Sequence, residues 1–246
     1  MKKLMKGNEV ICHSAIAAGC RGYFGYPITP QNEITEGMAK FMPMAGGAFV
    51  QAESELAAVN MAYGSAAGGT RTMTSSSIPG IALKQEGITY LAGAELPCVI
   101  VSVSRGGPGL GGIQPSQSDY YQATKGGGNG DYMVPVLTPE MVQELGDFTQ
   151  KAFHIADKYR TPVMVLCDGV LAQMMEPVDE IKPLYNETFN KDSWAVAKGG
   201  DKKVVSSLYL NPNHLEDHSI KLKIKANEIA NNEAMYESYN LENADV

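Results

Sequence analysis

From Asn8 to Gly169 the chain alternates short β-branched or aromatic runs with longer stretches of helical periodicity. Asn8 opens a helix running to about Cys20, and Tyr23–Tyr26 reads as the first strand. Thr29 stands as an N-cap before Pro30 at a first helical position, with Ile34, Met38 and Phe41 on one helical face. Ala48–Gln51 predicts a second strand. A helix from about Ser54 then runs to Gly68 and Gly69, where glycine ends it. Arg71–Ser75 is the third strand, followed by a helix over Gly80–Ala94. Cys98–Ser104 is apolar enough at successive positions to be buried on both faces. A glycine-rich stretch leads to a short strand at Val134–Leu137 and a long helix entered at Thr138 and Pro139. In that helix Leu145, Phe148, Ala152, Ile155 and Tyr159 form the core stripe, and Val163–Cys167 is the sixth strand.

Such alternation predicts an α/β fold: a mostly parallel six-stranded sheet with helices on both faces. Ligands of these sheets bind beyond the carboxyl ends of the strands. That rule selects four turns, Tyr26 to Thr29, Ala52 to Glu55, Ser75 to Gly80 and Arg105 to Gln114, before any family is considered. Past Glu176 the pattern changes. Residues 1–177 are expected to form the α/β domain, and 178–246 a linker and helical extension leading toward a second domain. Pro212 and Asn213 open a long amphipathic helix, with Leu215, Leu222, Ala226, Ile229, Tyr236 and Tyr239 expected to face inward.

The composition, 44% hydrophobic and 19% charged, is that of an ordinary globular chain. A net charge of −7 argues against non-specific nucleic-acid binding, which needs a basic surface. No apolar run approaches the roughly 20 residues of a membrane span, and no signal-peptide core is present, so the expected location is cytoplasmic. Cys12, Cys20, Cys98 and Cys167 are scattered without a Cys-x-x-Cys pair, the pattern of small buried hydrophobes. Any iron–sulfur centre is therefore expected on another subunit.

The four turns carry the candidate chemistry. Thr29 suits an ordinary cap or an anion site at a helix start. Glu55 and Glu53 are both favoured near a helix N-terminus, and composition does not choose between them. Arg105, at the end of the most buried strand, precedes Gly-Gly-Pro-Gly-Leu-Gly-Gly and is suited to gripping a carboxylate, or else is a solvated surface arginine. Ser75 to Gly80 reads equally as an anion-binding or cofactor-lining turn and as a serine cap. The glycine stretch lacks Gly-Lys-Ser/Thr and Gly-x-Gly-x-x-Gly, and Gly-x-Ser-x-Gly is absent.

In order along the chain, Tyr26-Pro-Ile-Thr-Pro30, the Glu55 helix, the serine–Pro79-Gly80 turn and the Arg105 glycine loop resemble the alpha chain of 2-oxoacid:ferredoxin oxidoreductases. The likeness is strongest to the branched-chain (2-oxoisovalerate) and 2-oxoglutarate types. The resemblance implies a thiamine-diphosphate-binding fold in which this chain supplies the pyrimidine half of the site. By the same match, Glu55, chosen over Glu53 by its distance from Gly64, activates the aminopyrimidine, and Pro27, Ile28, Ser76 and Ser77 line the cofactor. Thr29 and Arg105 hold the substrate carboxylate. The diphosphate and its magnesium are implied on a beta subunit, and iron–sulfur clusters on further subunits, among them a gamma subunit. Coenzyme A accepts the acyl group and ferredoxin the electrons. Ile78 departs from the family's small residue before Pro79-Gly80 and is expected to weaken cofactor fit through a disfavoured positive φ or lost space. Two competing readings are a non-catalytic assembly module and a subunit of a non-oxidative decarboxylase.

Overall fold

The computed structural model describes residues 2–239 and 241. In chain order the elements are β1 (Lys3–Lys6), α1 (Gly7–Ala17), β2 (Gly22–Gly25), α2 (Asn32–Met44), β3 (Ala48–Gln51) and α3 (Glu55–Ala67). There follow β4 (Thr72–Ser76), α4 (Ile78–Gly93), β5 (Cys98–Ser104), α5 (Tyr120–Thr124), β6 (Val136–Leu137) and α6 (Val142–Tyr159). The chain continues through β7 (Pro162–Asp168), α7 (Gly169–Gln173), β8 (Met175–Val178) and α8 (Pro212–Glu233).

Six strands form one sheet in the order β3-β2-β4-β5-β7-β6, and every pairing in it is parallel. The six expected strands are therefore present, with ends shifted by one or two residues. β5 lies between β4 and β7, which explains its continuous apolar run. Val99, Val101 and Val103 join the core shared with α1, α2 and α6, while Cys98 and Ile100 join the core beneath α3 and α4. Val99, Ile100 and Val101 are wholly buried, each contributing roughly 1.5–3 kcal/mol of transfer free energy. Close contact of α3 with α4 depends on Gly87, where a Cβ would overlap Val59.

Two strands escaped the sequence reading. β1 and β8 pair antiparallel as a separate ribbon, Lys3 opposite Val178 and Lys6 opposite Met175. Thr29 does not cap α2. The N-cap is Gln31, without a side-chain cap bond, and the helix begins at Asn32. The α8 stripe also needs correction: Ile229 is buried, but Leu215 is half exposed, and Tyr236 and Tyr239 lie past the end of the helix, fully open to solvent. His218, which the periodicity did not mark, is buried instead, stacked on Tyr209 with Nε2 2.8 Å from the Gly93 carbonyl.

The segment after β8 folds back over the amino-terminal ends of the strands. Val196 N–H donates to the Ala67 carbonyl at 2.9 Å, and Trp194 stacks under Arg160. Asp157, its side chain 3% exposed, pairs with Arg71 at 2.6 Å and Lys191 at 2.8 Å. Glu95 accepts from Lys221 and, at 2.7 Å, from Lys225. All four cysteines are free and buried, and burial pushes the Cys20, Cys98 and Cys167 thiols up to about 12.

Candidate functional site

Because the sheet is parallel, the ends of β2, β3, β4 and β5 deliver all four selected turns to one edge. The local reasons differ from turn to turn.

After β3, Ser54 caps α3 by accepting from Ala57 N–H at 3.2 Å, which fixes Glu55 as the first helical residue. Glu55 is buried, 7% exposed, whereas Glu53 two residues earlier is exposed. Among the described residues the Glu55 carboxylate makes no side-chain hydrogen bond or ion pair; its partner from α4, Lys84, donates to its backbone carbonyl. A Cβ on Gly80 would lie 2.5 Å from Glu55 Oε1 and would also collide with Ser76 Oγ. The Pro79-Gly80 step thus lets the carboxylate lie directly over the first turn of α4.

After β4, Ser76 and Ser77 are fully buried, and among the described residues neither hydroxyl has a hydrogen-bond partner. Ser77 is the N-cap residue of α4 but makes no side-chain cap bond. Buried hydroxyls left open in this way cost about 1–3 kcal/mol each unless a ligand or water satisfies them. Ile78 adopts helical rather than positive φ, contrary to the backbone strain expected of it. Its side chain is buried, with Cδ1 3.1 Å from where a Cβ of Gly107 would stand, so it wedges against the glycine loop.

After β5, Arg105 is buried, 6% exposed. Nη1 donates to the Thr29 carbonyl at 2.8 Å and Nη2 to the Leu110 carbonyl at 3.0 Å, while Nε has no partner among the described residues. Two of the five guanidinium N–H groups are thus committed, and three remain for a ligand. The arginine is no solvated surface group. It ties the Tyr26–Pro30 turn to the glycine loop.

The Tyr26–Pro30 turn itself is held from below by side chains that the sequence reading missed. Ser75 donates to Gln31 Oε1, so the Tyr23 hydroxyl, 2.6 Å from Ser75 Oγ, must donate to Ser75, and Thr35 at 3.1 Å donates to Tyr23. Gln31 Nε2 then donates to the Tyr26 carbonyl at 3.0 Å. Burial pushes the Tyr23 hydroxyl up to about 12, keeping it protonated. Asn8 and Gln173 both donate to the Pro30 carbonyl, at 2.9 and 3.1 Å. This framework, rather than a capping threonine, shapes the turn. It leaves Thr29 and Pro27 exposed and Ile28 half-buried. The Thr29 hydroxyl receives only a long 3.5 Å bond from Asn32.

The structure therefore groups the sequence candidates in two clusters along one edge. Glu55 lies with Ser76 and Gly80, and Thr29 with Arg105; Ile78 bridges toward the glycine loop. A cavity of about 680 Å³ lies elsewhere, between α6, α8 and residues 133–138. Among the described residues no three His, Cys, Asp or Glu side chains converge to hold a metal ion.

An aminopyrimidine offers a ring nitrogen that shares a proton with a carboxylate and an amino group that donates. The open Glu55 carboxylate, the unpartnered Ser76 and Ser77 hydroxyls and the Gly80 cradle fit that chemistry.

Comparison with known proteins gives the family. The model of the pyruvate flavodoxin/ferredoxin oxidoreductase, thiamine-diphosphate-binding family matches residues 13–238. The ketoisovalerate oxidoreductase subunit VorB of Methanothermobacter thermautotrophicus is 51% identical over 249 residues, covering 99% of this chain and 70% of the relative. The 2-oxoglutarate synthase subunit KorA of Methanothermobacter marburgensis is 47% identical over 177 residues, 71% of this chain and 46% of the relative. Among solved structures, the 2-oxoglutarate:ferredoxin oxidoreductase from Magnetococcus marinus, with 2-oxoglutarate, coenzyme A and succinyl-CoA bound, superposes with a TM-score of 0.83 at 28% identity. That match covers 96% of this chain and 46% of the other, so the present chain spans about half the length of KorA and of the solved chain. The chain belongs to the pyruvate flavodoxin/ferredoxin oxidoreductase thiamine-diphosphate-binding family and is a subunit of a 2-oxoacid:ferredoxin oxidoreductase.

Proposed function

We propose that this chain provides the pyrimidine-activating half of a thiamine-diphosphate site that decarboxylates a branched-chain 2-oxoacid oxidatively to an acyl-CoA, passing the electrons to ferredoxin. The observation that carries the reading is Glu55: a buried carboxylate, free of side-chain partners among the described residues, lying over Gly80 at the sheet edge where such folds bind ligands. When bound, thiamine diphosphate supplies a carbon nucleophile and an electron sink. Glu55 holds a proton against the pyrimidine ring nitrogen and so favours the tautomer whose exocyclic nitrogen acts as a base. Ser76 and Ser77, buried and unpartnered among the described residues, line the pyrimidine side, together with Pro27 and Ile28 from the turn after β2.

Arg105 keeps three N–H groups free beside the exposed Thr29 hydroxyl, and together these orient a 2-oxoacid carboxylate for loss as carbon dioxide. The two groups also support each other, because Arg105 holds the Thr29 carbonyl.

Residues 1–177 form the pyrimidine-binding unit in this reading, and 178–246 its extension. Magnesium and the diphosphate belong to a beta subunit. Iron–sulfur clusters belong to ferredoxin-like and gamma subunits of a cytoplasmic assembly. No helix of the described chain is long and apolar enough to cross a membrane. The branched-chain preference rests on the similarity to VorB.

The test is Glu55→Gln in the assembled enzyme, assayed by 2-oxoisovalerate- and coenzyme-A-dependent viologen reduction. The reading expects intact assembly and a loss of about 100-fold or more, in the range of acid–base catalysis. Retained activity overturns the Glu55 assignment. Decarboxylation without viologen reduction in the wild type makes the assembly a non-oxidative decarboxylase, and failure of the wild-type assembly to bind cofactor makes this chain an assembly module.

A further inference from the structure

We propose that Lys84 is a positioning residue for Glu55: its ammonium group, buried beneath the first turn of α3, anchors that turn and so holds the Glu55 side chain over Gly80. This rests on the reading that Glu55 acts on the cofactor pyrimidine.

Lys84 is wholly buried, 0% exposed, in the second turn of α4. It stands four residues after Gly80, so it shares the helix face over which the Glu55 carboxylate lies. Nζ donates to Thr74 Oγ1 at 2.9 Å and to the Glu55 carbonyl at 3.4 Å. Thr74 in turn donates to the Phe24 carbonyl at 2.7 Å. One ammonium group therefore joins β2, β4, α3 and α4 immediately below the candidate site.

A lysine in this position is not explained by stability. Among the described residues it has no carboxylate oxygen within ion-pair distance, and an apolar side chain of similar length would avoid its desolvation. Two titratable groups face it, Glu55 from α3 and Cys98 from β5. Burial pushes the Cys98 thiol up to about 12, so it stays neutral, and Glu55 is left as the counter-charge. Burial pushes the Lys84 ammonium down, with the pull of Glu55 offsetting only part of this, to about 8.

The sign follows directly. Below about pH 8 Lys84 is charged, and its charge-assisted hydrogen bonds hold the first turn of α3, and with it the Glu55 side chain, in place. Above that pH the charge is lost and the anchor weakens. Replacing Lys84 by methionine removes the anchor at every pH.

The experiment is calorimetric titration of the cofactor-free assembled complex with thiamine diphosphate and magnesium from pH 6 to 9.5, in two buffers of different ionisation enthalpy. In the wild type the affinity should fall about tenfold through pH 8, with a matching change in protons taken up on binding. Lys84→Met should bind about tenfold more weakly at pH 7 and lose the step near pH 8. A merely structural lysine would change the melting temperature of the variant and leave the step in place, which overturns the proposal. Thr74→Val, which removes one acceptor of the ammonium, should move the step to lower pH. If Lys84→Met does not assemble, an unmoved step in Thr74→Val overturns the proposal by itself. Glu55→Gln separates the two layers. If it binds cofactor like the wild type, the Glu55 reading fails; if it weakens binding while Lys84→Met keeps the step, only the role of Lys84 fails.

Discussion

The two ends of the sheet treat buried polar groups in opposite ways. At the amino-terminal ends of the strands, buried charge is matched. Asp157 holds both Arg71 and Lys191, Glu95 holds both Lys221 and Lys225, and His218 reaches the Gly93 carbonyl. At the carboxyl-terminal ends, Ser76, Ser77 and Arg105 Nε are buried without partners, and Glu55 has no side-chain partner among the described residues. An unmatched buried group costs free energy; Ser14 and His154 each leave one elsewhere, but the group of three beside Glu55, at the edge where such folds bind ligands, fits groups that a ligand would satisfy. The matched end fastens residues 178–233 to the domain.

Substitutions break or sharpen this contrast. The largest effect belongs to Glu55→Gln, where activity falls by about 100-fold or more while the melting temperature moves little, because the carboxylate makes no hydrogen bond or ion pair among the described residues and Lys84 keeps its bonds to Thr74 and the Glu55 carbonyl. A large drop in stability there would erase the distinction between the ends. Asp157→Asn is the mirror case. It leaves two cations facing a neutral amide and should destabilise the chain by about 3 kcal/mol, read from the urea midpoint, with cofactor affinity of the assembled protein unchanged.

Gly80→Ala should weaken thiamine-diphosphate binding about tenfold or more by displacing Glu55, at a packing cost of roughly 1–3 kcal/mol. Normal affinity would show that the carboxylate need not lie over Gly80. The smallest effect concerns acid. Burial pushes the Glu95 carboxyl up, but hydrogen bonds from Lys221 and Lys225 outweigh it and hold it down to about 2, below its usual 4.5. The stability this pair contributes is present above about pH 4.5 and is lost as pH falls toward 2. Amide hydrogen exchange in α8 should accelerate over that window in the wild type, and Glu95→Gln should show the faster exchange already at neutral pH.

Much of the architecture was legible because local signals agreed with one another. Ser54 before an alanine-rich helix located the start of α3, although only the family resemblance favoured Glu55 over Glu53 there, and Cys98–Ser104 declared itself by apolar continuity. Elsewhere the local signal misled. Thr29 before Pro30 has the form of a cap, yet a buried chain from Thr35 through Tyr23 and Ser75 to Gln31 sets the turn and starts the helix at Asn32. Those four side chains come from β2, α2 and β4, and nothing in their spacing announces a contact. Nothing in the sequence marks Lys84, because periodicity records where a charge usually goes. The β1–β8 ribbon joins segments about 170 residues apart, so neither strand carries its partner's signature.

The sequence by itself determined the succession of strands and helices, the parallel character of the sheet and the turns that carry chemistry. All of these follow from periodicity, capping and chain connectivity over a few residues. Tertiary structure alone decided the strand order, the commitment of Arg105 to the Thr29 carbonyl, the burial of Lys84 beneath Glu55 and the choice of Glu55 over Glu53 as the buried carboxylate. The physical reason is common to all four. Burial and hydrogen bonding are properties of groups brought together from distant parts of the chain, and a desolvated charge or an unpartnered hydroxyl exists only once that assembly has excluded water.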